Sequence, residues 1–320
     1  MPTYIGHTGW GETVLLKEVW PDARQILFPE FFYAGRGLDI GFDTEFKPLT
    51  EEAVLLGKAK NAVAALSLAD ADAIVCPTRF QASTLPRVFQ PLIRIIHEGV
   101  DLELIRPRQP EPFVLDDGRV ITPGTPVITH VNNNMEPLRG LHIFARALPR
   151  LLAEIPDAQV IVIGQTAGQG YSGQAPEGRT WRDVCFEGVE IDPARVHFLG
   201  RVAHARMLAA MQLSTAHVYY SYPFVLSWSL VEAMALGCYV VGSDTRPLHD
   251  AIEDGVSGRL LPFFDHAALA DALIAACRDP QAQAGVRDAA RAAAKRLFDR
   301  RASLAAWIAL IREMGVQVAD

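Results

Sequence analysis

The chain has 320 residues, half of them hydrophobic, enough for roughly two domains of about 150 residues with substantial cores. Its net charge of −7, with 21% charged residues of both signs, excludes nucleic-acid binding through phosphate neutralisation and points to small-molecule ligands. Cys76, Cys185, Cys238 and Cys277 form no C-x-x-C pair or zinc-ligand cluster, and neither a signal-peptide pattern nor a spanning apolar run occurs. Free thiols in a reducing cytoplasm are the expectation.

In chain order, short aliphatic runs alternate with helical patterns. TYI, RQILF, AIVC and LIRII lead the chain, and PVITHV, AQVIVIG, VHFLG, AHVYY, CYVVGS and GRLL follow. Runs of this kind predict buried strands of parallel sheets. Between them, EEAVLLGKAKNAVAALSLA, RGLHIFARALPRLLAEI and HAALADALIAACRD carry apolar residues at intervals of three and four, as sheet-covering helices do. The fold class is therefore α/β. From Arg106 to Pro126, five prolines and a D-D-G turn interrupt this rhythm and mark a domain junction. The expected division is 1–106, joined by a terminal helix over 299–320, and 107–298.

One carboxylate, Glu232, is set in the apolar stretch YPFVLSWSLVEAMALG. Ser227 or Ser229 is the natural N-cap and Gly237 the stop, so SLVEAMAL predicts a helix with Glu232 in its first turn, near the positive dipole end. A plain first-turn acid is one explanation. The other is a ligand clamp: a strand, a loop and a helix start create an anion site, and a carboxylate beside it accepts bonds from vicinal hydroxyls such as those of a ribose.

The run LVEAMALGCYVVGSD with the later DGVSGRLL, the earlier MEPLRG before a helix and VIVIG, and EGVD at 98–101 resemble family 4 retaining glycosyltransferases of the GT-B type. HTGWGE and PEFFY resemble a bacterial polysaccharide branch of that family. The resemblance implies two Rossmann-like doubly wound domains facing a cleft, the N-terminal one incomplete because the usual opening β-α units are missing. A truncated sheet would expose a strand edge and apolar helix faces, so either a homo- or hetero-oligomeric partner covers it, or the start codon has been assigned too late, or the lobe is minimal.

The resemblance also implies roles. Glu232 would bind the ribose of a nucleotide-sugar donor, and Arg139 would neutralise its diphosphate. Arg139 reads as opening a helix, where a cation needs a partner anion. Glu30, after strand RQILF, and His7, before Gly9-Trp10-Gly11, are the catalytic candidates, with Glu30 orienting or deprotonating the acceptor. Packing alone could equally account for both. Ser227, Trp228 and Ser229 would shape the donor-sugar pocket. Two positions depart from the pattern: Phe224 replaces a glutamate that contacts the donor, and Asn133 replaces a second basic phosphate ligand. An amide donates to phosphate without bringing charge.

The function expected is metal-independent, cofactor-free sugar transfer from a nucleotide sugar to a saccharide or lipid-linked acceptor, in surface polysaccharide biosynthesis. The protein would be cytoplasmic, with at most peripheral membrane contact and no nucleic-acid partner. A non-catalytic nucleotide-binding subunit is the alternative, favoured by the changes at Phe224 and Asn133. An epimerase on the same fold is a third possibility, as is a phosphorylase. A phosphorylase would need a pyridoxal-binding lysine, and no lysine occurs between Pro126 and Ala294.

Overall fold

A computed structural model describes residues 2–9, 11–167 and 170–316. Trp10 of the Gly9-Trp10-Gly11 turn and residues 317–320 of the expected terminal helix lie outside them.

The chain divides into two compact units, one comprising 1–101, 223–225 and 297–320, the other 102–222 and 226–296. In the first, β1 (Thr3–His7), β2 (Arg24–Phe28), β3 (Ala73–Cys76) and β4 (Ile93–Ile95) form a parallel sheet in the order β1-β2-β3-β4. Its helices are α1 (Leu16–Val19), α2 (Glu51–Ala69), α3 (Arg79–Thr84) and, from the far end of the chain, α10 (Arg300–Glu313). Alternation along the strands serves both faces of the sheet. Leu27, Ile74 and Cys76 join Leu68 and Leu85 on one face, whereas Ile26 and Val75 meet Leu310, Trp307 and Ile311 on the other. α10 thus covers one face of this sheet.

The second unit opens with a hairpin, β5 (Phe113–Val114) and β6 (Val120–Ile121), turned by the D-D-G of the proline-rich segment. Then come β7 (Val127–Asn134), α4 (Leu141–Glu154), β8 (Gln159–Gln165), α5 (Trp181–Cys185), β9 (Val196–Gly200), α6 (His204–Gln212) and β10 (Ala216–Tyr219). They are followed by α7 (Trp228–Ala235), β11 (Val240–Ser243), β12 (Arg259–Leu261), α8 (His266–Arg278) and α9 (Ala284–Leu297). The six-stranded sheet is parallel throughout and runs β12-β11-β10-β7-β8-β9. Chain order reverses direction between β7 and β10, the switch point outside whose carboxyl ends open α/β sheets bind ligands.

Helix α7 shows how local chemistry sets up that edge. Ser227 caps it, accepting from the Ser229 amide. Gly237, at φ +71°, closes it with a Schellman pair, the Gly237 and Cys238 amides donating to Met234 and Ala233 carbonyls. Every residue from Ser229 to Ala235 is buried, which is why the sequence is apolar all round. Because Ser227, not Ser229, is the cap, Glu232 lies in the second turn rather than the first. The dipole explanation for this acid loses its footing, since the effect fades beyond the first turn.

Candidate functional site

Arg139 is buried at the switch point. It does not open a helix, correcting the sequence expectation: it ends a short 3-10 turn, Pro137–Arg139, and Gly140 in the left-handed region separates it from α4. Only glycine fits there, because φ is +69° and an added Cβ would stand 2.3 Å from the Cβ of Tyr220. Arg139 Nη1 donates to the Tyr219 hydroxyl and to Ser221 Oγ, both at 3.0 Å, bridging the end of β7 to the end of β10. The Tyr219 hydroxyl also accepts from the Ser227 amide at 2.7 Å, tying the guanidinium to the start of α7. The loop after β8 is pinned beside it: Glu136 accepts from the Tyr171 and Ser172 amides, and the Tyr171 ring lies 6.0 Å from the guanidinium carbon. The two hydroxyls fix the direction of the guanidinium at the switch point.

Ser227 and Ser229 are occupied with the cap, their hydroxyls 2.8 Å apart. Trp228 leaves 55% of its surface exposed at the first helical position.

Glu232 is held by a residue the sequence reading did not single out. His204, the first residue of α6, places Nε2 2.7 Å from Glu232 Oε1. Half of the imidazole is exposed, whereas the carboxylate side chain is only 8% exposed. Burial raises the Glu232 pKa, and the hydrogen bond and charge of His204 pull against it. One carboxylate oxygen therefore faces the imidazole, and the second has no protein partner among the described residues. That is the arrangement needed to accept a ligand hydroxyl.

Asn133, near the end of β7, accepts through Oδ1 from Arg201 Nη2 at 2.9 Å. Phe224 is core: it is 2% exposed, counts with the first unit, and packs on Phe31 at a ring separation of 4.7 Å.

In the first unit, His7 ends β1 and Glu30 follows β2, the neighbouring strand. His7 Nδ1 accepts from the Gly9 amide at 3.0 Å, which leaves Nε2 to carry the proton of the neutral ring. That nitrogen stands 4.0 Å from Glu30 Oε2, with 29% and 43% of the two side chains exposed. Gly9 is required for this fold-back, since a Cβ there would meet the imidazole at 2.7 Å. Glu98, beyond β4, joins them electrostatically: burial raises its pKa, and the charge of Glu30 raises it further.

Two family models match, one described as glycosyl transferase family 4 group over residues 3–105 and one as glycosyl transferases group 1 over 125–279. The chain belongs to the family 4 glycosyltransferases. Among its relatives are the phosphatidyl-myo-inositol mannosyltransferase of Mycolicibacterium smegmatis, 34% identical over 47% of this chain and 36% of that protein, and the D-inositol 3-phosphate glycosyltransferase of Saccharomonospora viridis, 27% identical over 88% and 68%. This chain thus spans little more than a third of the mannosyltransferase's length. Solved structures establish the GT-B fold: sucrose-phosphate synthase from Thermosynechococcus elongatus superposes with a TM-score of 0.73 at 20% identity, covering 98% of this chain and 73% of that one. Anabaena HepE, in complex with UDP and glucose, gives 0.62 at 16%, covering 98% and 100%.

His204, Arg201, Tyr219 and Ser221 escaped the sequence reading. Tyr219 and Ser221 sit in an apolar strand run, and His204 and Arg201 reach their partners across 28 and 68 residues of chain. Only the position of each at or just past a predicted strand end could have flagged them.

Proposed function

We propose that the protein is a retaining glycosyltransferase that moves a sugar from a nucleotide-sugar donor to a hydroxyl of a saccharide or lipid-linked acceptor, in surface polysaccharide biosynthesis. The observation that carries this is the buried Arg139 guanidinium at the switch point, oriented by the Tyr219 and Ser221 hydroxyls. In this scheme the bond from the anomeric carbon to the diphosphate oxygen breaks, and its electron pair stays with the leaving diphosphate. Arg139 and the N-terminal turn of α4 meet that growing charge in place of a metal ion. Glu232 clamps the ribose hydroxyls. The acceptor oxygen bonds to the anomeric carbon on the face that the leaving group vacates, and Glu30, with His7 beside it, orients the acceptor hydroxyl and takes its proton. No described helix is long and apolar enough to cross a membrane, and a cytoplasmic protein with peripheral contact to the membrane's inner face suits a lipid-linked acceptor.

The test is to incubate the protein with UDP-, GDP- and ADP-sugars and saccharide acceptors, following nucleoside diphosphate release and the product's anomeric configuration by NMR. HepE was solved with UDP, so UDP-sugars come first. One donor consumed with retained configuration is the expected result. A protein that binds nucleotide yet consumes none of these donors would be a binding subunit instead.

A further inference from the structure

Arg201 follows the last residue of β9, at a place where the edge strand is turned off by Gly200 in the left-handed region, φ +63°. A register shift in the β8 pairing brings Gly200 opposite Ile163, and Asn134 of β7 pairs with Gln165 of β8. The ends of three neighbouring strands therefore stand side by side. Across them Arg201 Nη2 donates to Asn133 Oδ1 at 2.9 Å and to Gln165 Oε1 at 3.4 Å.

Both acceptors are neutral amides. No carboxylate pairs with Arg201 among the described residues, unlike Arg195 on the far side of β9, which donates to Asp192 at 2.9 Å. Both bonds use Nη2, so Nη1 and Nε keep their donors for another acceptor. A full positive charge is thus oriented by two amides at the carboxyl end of a parallel sheet without being neutralised.

The position of this charge relative to Arg139 gives it a use. Arg139 reaches from the end of β7 toward β10, to Tyr219 and Ser221. Arg201 reaches the end of β7 from the opposite side, over β8. Arg139 bonds from beyond the end of β7 toward β10, and Arg201 bonds to that strand end from the β9 side, so the two guanidiniums flank it. A diphosphate has two phosphoryl groups, and one cation cannot be bidentate to both. We infer that Arg201 is a second cation for the donor diphosphate, and that Asn133 serves by holding Arg201 rather than by carrying charge itself. The inference rests on the donor-site reading above and adds to it a residue from a different strand.

The test is calorimetric titration of the full chain with UDP, GDP and ADP, and with the nucleoside of whichever base binds. Arg201→Ala is expected to weaken the diphosphate about ten- to a hundredfold while leaving nucleoside affinity unchanged. Arg201→Lys should recover most of that loss, and Asn133→Ala should give a smaller loss confined to the diphosphate. Unchanged diphosphate affinity in Arg201→Ala overturns the inference, as does an equal loss for nucleoside and diphosphate, which would mark a disturbed strand end. If the unaltered protein binds no nucleotide, the donor-site reading itself fails and this role with it.

Discussion

The candidate site groups of the second unit are bonded closely to one another, whereas the candidate pair of the first, His7 and Glu30, is more widely spaced. Arg139, Tyr219, Ser221 and Ser227 share hydrogen bonds of 2.7 to 3.0 Å in the interior, and Glu232 meets His204 at 2.7 Å. In the first unit, His7 and Glu30 stand 4.0 Å apart and half-exposed. The helices differ in the same sense. α4 buries Leu141, Ile143, Phe144, Leu148 and Leu151 along one face, whereas α2 buries Gly57, Asn61, Ser67 and Leu68 and turns Leu55, Leu56 and Leu66 outward. A group that must stabilise charge on a departing diphosphate gains from being oriented beforehand. A group that accepts a proton from an incoming hydroxyl must stay reachable. Under the proposed function, the contrast places donor recognition in the packing of one unit and acceptor handling on the surface of the other.

The largest expected effect separates the units by acid. His130 and His217 on β7 and β10 are wholly buried, and burial pushes their pKa values down to about 4 and about 3. In the first unit His97 is pushed to about 4. Each imidazole has a folded pKa below its unfolded value of 6.5, so its contribution is fully present above 6.5 and is lost as pH falls toward the folded value. With the slope rising toward about 1.4 kcal/mol per pH unit as the unfolded imidazole becomes protonated, these histidines alone should cost the second unit about 4 kcal/mol between pH 6.5 and 4.5, and the first about 2. Hydrogen exchange, corrected for intrinsic rates, should show protection of β7 and β10 falling further than that of β3 and β4. Equal losses would break the comparison.

Next in size is Arg139→Ala. Removing a fixed cation from the leaving-group site should lower kcat/KM about a hundred- to a thousandfold and weaken nucleoside diphosphate binding. Steady-state kinetics with the preferred donor checks this. Glu30→Gln sharpens the contrast from the other side: turnover should fall about a hundredfold with diphosphate affinity unchanged in calorimetry. A loss of nucleotide affinity in that variant would mean that Glu30 belongs to donor recognition.

Much of this organisation was legible before the structure. The alternation of buried strand runs with amphipathic helices is a local property, and it marked the parallel sheets. The cap and stop of α7 were legible because Ser227 and Gly237 are chemically suited to those positions. The error of one turn at Glu232 arose because Ser227 and Ser229 are equally good caps, and only packing chose between them. Arg139 was misplaced for a related reason: a left-handed Gly140, forced by Tyr220, breaks the helix one residue after it. Phe224 read as the replacement of a donor-contacting glutamate, and its ring packs on Phe31. His204 and Arg201 were illegible because their partners come from elements brought alongside by the sheet order, which no local pattern encodes.

The central claim is that Glu232 is a donor clamp and not a packing residue, and a calorimetric titration of the full chain and Glu232→Ala with UDP, GDP and ADP tests it most directly. The account predicts that one diphosphate binds the unaltered protein, that the variant binds it at least about thirtyfold more weakly, and that the variant stays folded, because the partner left behind, His204, is half-exposed and can be solvated. Equal affinity in the two proteins would contradict it.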